Sequence, residues 1–291
     1  MQSPIGQGYL FQYKQGSAQP NITMESIRQT KVADYSYEKQ LEIANILKCI
    51  DDKIDINNRI NDNLQQLLME SFVQQFECFA NCNKQLKYDK DLKKNIPIDW
   101  NATQIGSLAS IESGYPFNSD NYSQIGQYKL ITIKNVQDSG IDVDTGDRIN
   151  IVPSDLPDYC KLKSKDILLS LTGNVGRVGL MFTDNCLLNQ RVANITPFDE
   201  SLRSYLFCLF KSQTLRITME RISGGTSQKN LSPIETGNLY IPFNYDIAKQ
   251  FSIKTDPIIS KYVECLKENL KLTQLRNELL PLLMNGQVSI V

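Results

Sequence analysis

The sequence predicts an α+β fold: a mixed domain carried on two long helices. Three observations lead there. An a/d heptad pattern runs through residues 36–80. A second helical stretch covers 246–285. The residues between them read as short strands and turns with one helix.

In the first helix Ile43, Leu47, Ile50, Ile54, Asn57, Asn61, Leu64 and Leu68 alternate in steps of four and three. Ser36 is a suitable N-cap, Glu38 suits the first turn, and no Gly or Pro interrupts the stretch. Some 40 residues at 1.5 Å each make a rod of roughly 60 Å, which calls for a partner helix. Two seam positions are asparagines. A polar seam residue fixes register at a cost in stability; the alternative is that Asn57 and Asn61 face water where the pair splays. Both readings stay open.

The second helix carries a stripe of Ile259, Val263, Leu266 and Leu270, which drifts to Leu272, Leu275, Leu279 and Leu282. Pro257 either kinks it or starts its main part with Asp256 as cap. Asn285-Gly286 is a plausible stop. The two helices belong to a repeat with a period of about 210 residues: Gly16-Ser17-Ala18-Gln19-Pro20-Asn21 matches Gly225-Thr226-Ser227-Gln228-Lys229-Asn230, and Lys39-Gln40 matches Lys249-Gln250.

In the mixed segment 128–133 and 166–171 are strand-like, Gly173-Asn174-Val175-Gly176 reads as a turn, 177–182 as a strand, and 201–222 as one helix. A basic linker, 84–94, joins the segment to the first helix.

Composition narrows the chemistry. The chain has 291 residues, 31 Lys+Arg, 32 Asp+Glu and no histidine. No Ser-His-Asp or Cys-His nucleophile can be built, and no histidine can ligate a metal. Seven scattered cysteines read as reduced thiols of a cytoplasmic protein; Cys78 and Cys82, the one close pair, lack partners for zinc. No apolar run spans a membrane, and the N-terminus does not read as a secretory signal. The sequence contains no amino-methyltransferase motif, no Walker loop and no dinucleotide fingerprint. No cofactor is expected.

Five phrases occur in order: Ser113-Gly114-Tyr115-Pro116-Phe117, Ile131-Thr132-Ile133-Lys134-Asn135-Val136, Asp166-Ile167-Leu168-Leu169-Ser170-Leu171-Thr172-Gly173, Leu188-Asn189-Gln190-Arg191-Val192 and Gly224-Gly225-Thr226-Ser227-Gln228-Lys229-Asn230-Leu231. With the repeated loop–helix unit they resemble the specificity subunit of type I restriction–modification systems, over nearly the whole chain. The resemblance implies target-recognition domains that each read half of a split site in double-stranded DNA. It implies helices paired antiparallel as a spacer, modification (methyltransferase) subunits docked on those helices, and restriction subunits joining through them. It divides the chain into a remnant of a first recognition domain (1–34), a first conserved helix (35–83), the linker (84–94), a complete recognition domain (95–245) and a second conserved helix (246–291). The expected form is truncated at its N-terminus, and a homodimer would supply two half-sites.

Residue chemistry agrees in part with DNA reading. Arg pairs with guanine and Asn or Gln with adenine. Lys134 and Asn135, Asn174 and Arg177, Asn189-Gln190-Arg191, and Gln228-Lys229-Asn230 are the candidate contacts. Each has a plainer reading. Gly-Asn turns are ordinary hairpin chemistry, Asn189 and Gln190 suit buried loop braces, and the repeated Gly-rich loop suits a structural joint. Tyr115 and Phe117 read more readily as packing than as base stacking. From Pro97 to Tyr245 there are 13 Lys+Arg and 15 Asp+Glu, a net of −2, so a DNA face must be segregated from an acidic back. The rival expectation is a coiled-coil scaffold without a DNA role.

Overall fold

The computed structural model describes residues 24–28, 34–80, 85–225, 229–284 and 287. The repeat's first loop, Gln228 and Cys82 lie outside these. The helices are α1 (Met24–Arg28), α2 (Tyr37–Phe72), α3 (Arg203–Lys211), α4 (Gln213–Ile222), α5 (Pro233–Gly237) and α6 (Tyr245–Met284). The strands are β1 (Leu86–Asp89), β2 (Lys94–Pro97), β3 (Asn101–Gln104), β4 (Ala109–Ser113), β5 (Tyr128–Ile131), β6 (Val136–Gln137) and β7 (Gly140–Ile141). They continue with β8 (Arg148–Ile149), β9 (Lys161–Leu162), β10 (Ile167–Ser170), β11 (Val178–Leu180), β12 (Cys186–Leu188), β13 (Val192–Pro197) and β14 (Tyr240–Phe243). The fold is α+β, as the sequence predicts.

The chain divides into two compact units, Met1–Ile60 with Cys265–Val291, and Asn61–Glu264. In the first unit α2 and α6 pair antiparallel. Partner numbers fall along α6 as they rise along α2: the Tyr35 hydroxyl donates to the Leu283 carbonyl (3.2 Å), Arg276 to Asp51 (2.8 Å), and Asn57 to Asn269 (2.9 Å). Ile43 and Ile50 are buried in this seam, with Leu47, Ile54, Leu266 and Leu270 half-buried. Asn57 is fully buried, and its amide also donates to Glu268 (2.8 Å), which in turn meets Lys53 (3.2 Å).

The second unit holds two four-stranded sheets. One, in the order β11-β10-β13-β4, is antiparallel throughout. The other, β8-β5-β12-β9, contains a parallel β5/β12 pair. Strand β10 is an unbroken apolar run apart from Ser170, and it is buried on both faces, as such runs require. Helix α3 is buried from Ser204 to Phe210, so it is a core helix. Phe72, Phe76, Trp100, Tyr205 and Phe251 form an aromatic cluster with ring centroids 4.8–6.0 Å apart. Asn61, Leu68, Ile259 and Val263 are buried in this unit, and Leu64 is half-buried.

Two expectations are revised. The helix expected over 201–222 is two helices, because Ser212 leaves the helical conformation and its hydroxyl caps α4 at the Leu215 amide (3.3 Å). The first long helix stops at Phe72 and passes into a π turn over Val73–Glu77 that seats Phe76 in the cluster. Within the basic linker, residues 86–94 fold with 95–97 into a hairpin, β1–β2. The Asp89 carboxylate accepts from the amides of Asp91 and Leu92 (both 3.0 Å), and Lys93 takes φ 51°. Pro257 lies inside α6, whose start is capped by Asn244 at the Ile247 amide (3.2 Å).

Candidate functional site

Three loops of the second unit converge, and main-chain hydrogen bonds hold them. The first, 171–177, joins β10 to β11 and turns through Gly173 (φ 71°) and Gly176 (φ 80°). The second, 189–191, joins β12 to β13. The third follows α4 and ends at Leu231. Leu171 N–H donates to the Arg191 carbonyl (3.0 Å), Leu231 N–H to the Leu171 carbonyl (2.8 Å), and Gly173 N–H to the Lys229 carbonyl (3.2 Å). Gly224 and Asn230 exchange two backbone bonds, 3.0 and 2.8 Å, which close the third loop on itself.

The end of β4 adds a fourth support. Gly114 donates to Val192 and Tyr115 to Leu188, both at 2.9 Å. The approach admits only glycine: a Cβ at Gly114 would lie 2.5 Å from the carbonyl oxygens of Asn189 and Leu188. Tyr115 then donates its hydroxyl to the Asp155 carboxylate at 3.0 Å, a bond that raises its own pKa. Tyr115 packs edge-on to the buried Phe117, 5.0 Å between centroids.

These supports frame a cleft of about 590 Å³. Ser113, Thr172, Gln190, Arg191, Asn230 and Ser232 line it, and no carboxylate stands among its lining residues. Gln190, Arg191 and Asn230 are exposed, with Lys229 exposed beside them. Thr172 Oγ1 is buried and has no partner among the described residues. The cleft thus offers a guanidinium, two carboxamides and hydroxyls on a rigid frame, the donor and acceptor set that base edges and phosphates match.

The other candidates lie elsewhere. Lys134 and Asn174 are exposed but do not line the cleft. Asn135 is buried, and its side chain is used up inside its own loop: Oδ1 accepts from the Thr132 amide and hydroxyl (both 2.9 Å), and Nδ2 donates to the carbonyls of Asp142 (2.8 Å) and Thr145 (2.7 Å). It braces a turn and has nothing left for a base. Asn189 is buried and donates to the Tyr122 hydroxyl (3.1 Å). Arg177 is drawn to Asp138 (3.0 Å). Sequence reasoning missed Thr172, Ser113 and Ser232; the signal was a small hydroxyl residue beside glycine or proline, within the matching phrases for Ser113 and Thr172 and just after the last of them for Ser232. Among the described residues no group of three His, Cys, Asp or Glu side chains is placed to hold a metal, and no helix is long and apolar enough to cross a membrane.

Residues 7–66 and 97–277 match the family model described as the type I restriction modification DNA specificity domain. The chain belongs to that family. The matched stretches take in most of the α2 seam, the cleft and most of α6. The type I restriction enzyme MjaIX specificity subunit of Methanocaldococcus jannaschii is 25% identical over 97% of this chain and 66% of its own length. The HindI specificity subunit of Haemophilus influenzae is 22% identical over 92% of this chain and 71% of its own. The chain therefore spans about two thirds of these relatives. Among solved structures, the type I S subunit from M. genitalium overlays with a TM-score of 0.49 at 15% identity, covering 99% of this chain and 71% of that one. The HsdS subunit from Thermoanaerobacter tengcongensis overlays at 0.40 and 16%, covering 98% and 68%.

Proposed function

We propose that this chain is a DNA-sequence specificity subunit of a type I restriction–modification complex and has no catalytic activity of its own. The cleft of the second unit reads one half-site in double-stranded DNA. Arg191, Gln190 and Asn230 meet base edges, and Lys229 meets a phosphate. The outer faces of α2 and α6 receive modification subunits, and restriction subunits join through those. The observation that carries the reading is the convergence, within a chain of this family, of three loops that present Thr172, Gln190, Arg191 and Asn230 in one cleft with no carboxylate among its lining residues.

The test is enrichment from a duplex library with a randomised window. The full chain is used alone and with the modification subunit of its own system. The expected result is one preferred sequence. Arg191→Ala and Asn230→Ala then each weaken binding to the preferred duplex by about 1–3 kcal/mol, roughly 5- to 150-fold, and relax the preference at particular positions. A wild-type chain that enriches no sequence in either form overturns the DNA reading.

A further inference from the structure

One residue of the second unit, Asp138, gathers three cations, two on its carboxylate and one on its main-chain carbonyl. Asp138 sits in the turn between β6 and β7. Its Oδ1 accepts from Arg216 Nη1 of α4 at 2.8 Å, and its Oδ2 meets Arg177 Nη2 at 3.0 Å. The main-chain carbonyl of the same residue accepts from Lys211 Nζ (3.0 Å), which also donates to the Val178 carbonyl (3.1 Å). Arg216 has a second partner in Glu220 (3.3 Å). Arg177 has none: its Nε is buried without a partner, and Asp138 is the one carboxylate that meets it among the described residues.

Asp138 is the carboxylate that meets the side chain of Arg177 in the loop. That loop, 171–177, is fastened at three places, the first at its base, where Ser170 N–H donates to the Arg177 carbonyl (2.9 Å) and Gly176 N–H to the Ser170 carbonyl (3.1 Å). Its first half is tied to the cleft by the bonds of Leu171 and Gly173 to the other loops. Its second half lies on α4, where Gly176 is so close that a Cβ would come within 3.3 Å of Arg216 Cγ. There Asp138 joins Arg177 of the loop to Arg216 of the helix. Burial pushes the Asp138 carboxyl upward, yet the hydrogen bond and charge of Arg216, with those of Arg177, hold it below the usual range. It is therefore ionised at neutral pH. Without that charge, Arg216 would keep Glu220, but Arg177 would stand beside it with no carboxylate among the described residues.

We propose that Asp138 is a positioning residue for sequence selection: by pinning Arg177 against Arg216 it sets the conformation of loop 171–177, and with it the wall of the cleft formed by Leu171 and Thr172. Arg177 acts through this pin and not as a base reader. The proposal rests on the cleft being the DNA interface.

The test uses the full chain as wild type, Asp138→Asn and Asp138→Glu. Hydrogen exchange comes first, because it needs no DNA. Asp138→Asn should speed exchange in peptides covering 171–177 by about tenfold or more while β10 and β13 stay protected. Asp138→Glu, which keeps the charge, should recover part of the protection. Unchanged exchange in 171–177 for Asp138→Asn overturns the pin. If Asp138→Asn abolishes the cooperative unfolding transition, Asp138→Glu against wild type decides instead: faster exchange confined to 171–177 supports the pin, and no difference overturns it. The duplex library comes second. Asp138→Asn should reduce the ratio of binding to the preferred duplex over a scrambled one by about tenfold, with binding to the scrambled duplex nearly unchanged. An equal loss on both duplexes overturns the role in selection. If wild type itself enriches nothing, the DNA reading fails, and the exchange experiment still decides the pin.

Discussion

At the scale of single residues, burial decides whether an asparagine's amide is spent inside the fold or left open. Asn135 and Asn230 carry the same amide. One is enclosed by four hydrogen bonds of its own loop, and the other lines an open cleft. Residue type was legible in the sequence for both, but the direction of each side chain was not. It depends on whether the chain beyond returns over the residue, as 142–145 does over Asn135. The same holds for Arg177, whose partner lies in a turn 39 positions earlier. A further residue-scale consequence concerns acid. Asp199 accepts from the Tyr245 hydroxyl (2.6 Å) and the Ser201 amide (2.9 Å), and these bonds, Tyr245 foremost, hold its carboxyl down to about 2. Its contribution to stability is therefore present above the unfolded carboxylate value, near pH 3.8, and is lost as pH falls through about 2. Tyr245→Phe should move the Asp199 titration back toward 3.8, read by carboxyl NMR; an unmoved titration removes Tyr245 as the cause.

At the scale of elements, the heptad was the clearest signal, and its physics explains why. A seam needs only period and hydrophobicity, both visible in the sequence. The Asn57 bonds to Glu268 and Asn269 favour the register reading over a splayed, wet pair at that position. They also leave Asn57 Oδ1 buried without a partner among the described residues. Asn57→Leu should therefore raise the free energy of unfolding by about 1 kcal/mol, since an orphaned polar atom leaves the seam and Glu268 keeps Lys53. Denaturant melts at unchanged slope are the measurement, and a lowered midpoint would show that the amide's bonds outweigh its orphan. Where the sequence misled, a local capping choice beat periodicity. Ser212 broke a helix whose apolar stripe continued.

At the scale of the whole molecule, a chain of net charge −1 cannot hold DNA by bulk attraction. Lys134, Arg191 and Lys229 are the exposed cations among the candidate contacts. If they alone meet phosphates, the logarithm of the binding constant of the isolated chain should fall against that of salt with a slope of about −2.7, or shallower. A slope near −6 would place the grip on another face. The backbone ties beneath the cleft have one more consequence. Leu171, Gly173 and Leu231 donate through main-chain N–H groups, which every residue but proline possesses. The frame is therefore indifferent to what stands at 190, 191 and 230. Those three positions can be rewritten without rebuilding the loops that present them, so under the proposed function a new target would cost this architecture a few substitutions and no new fold.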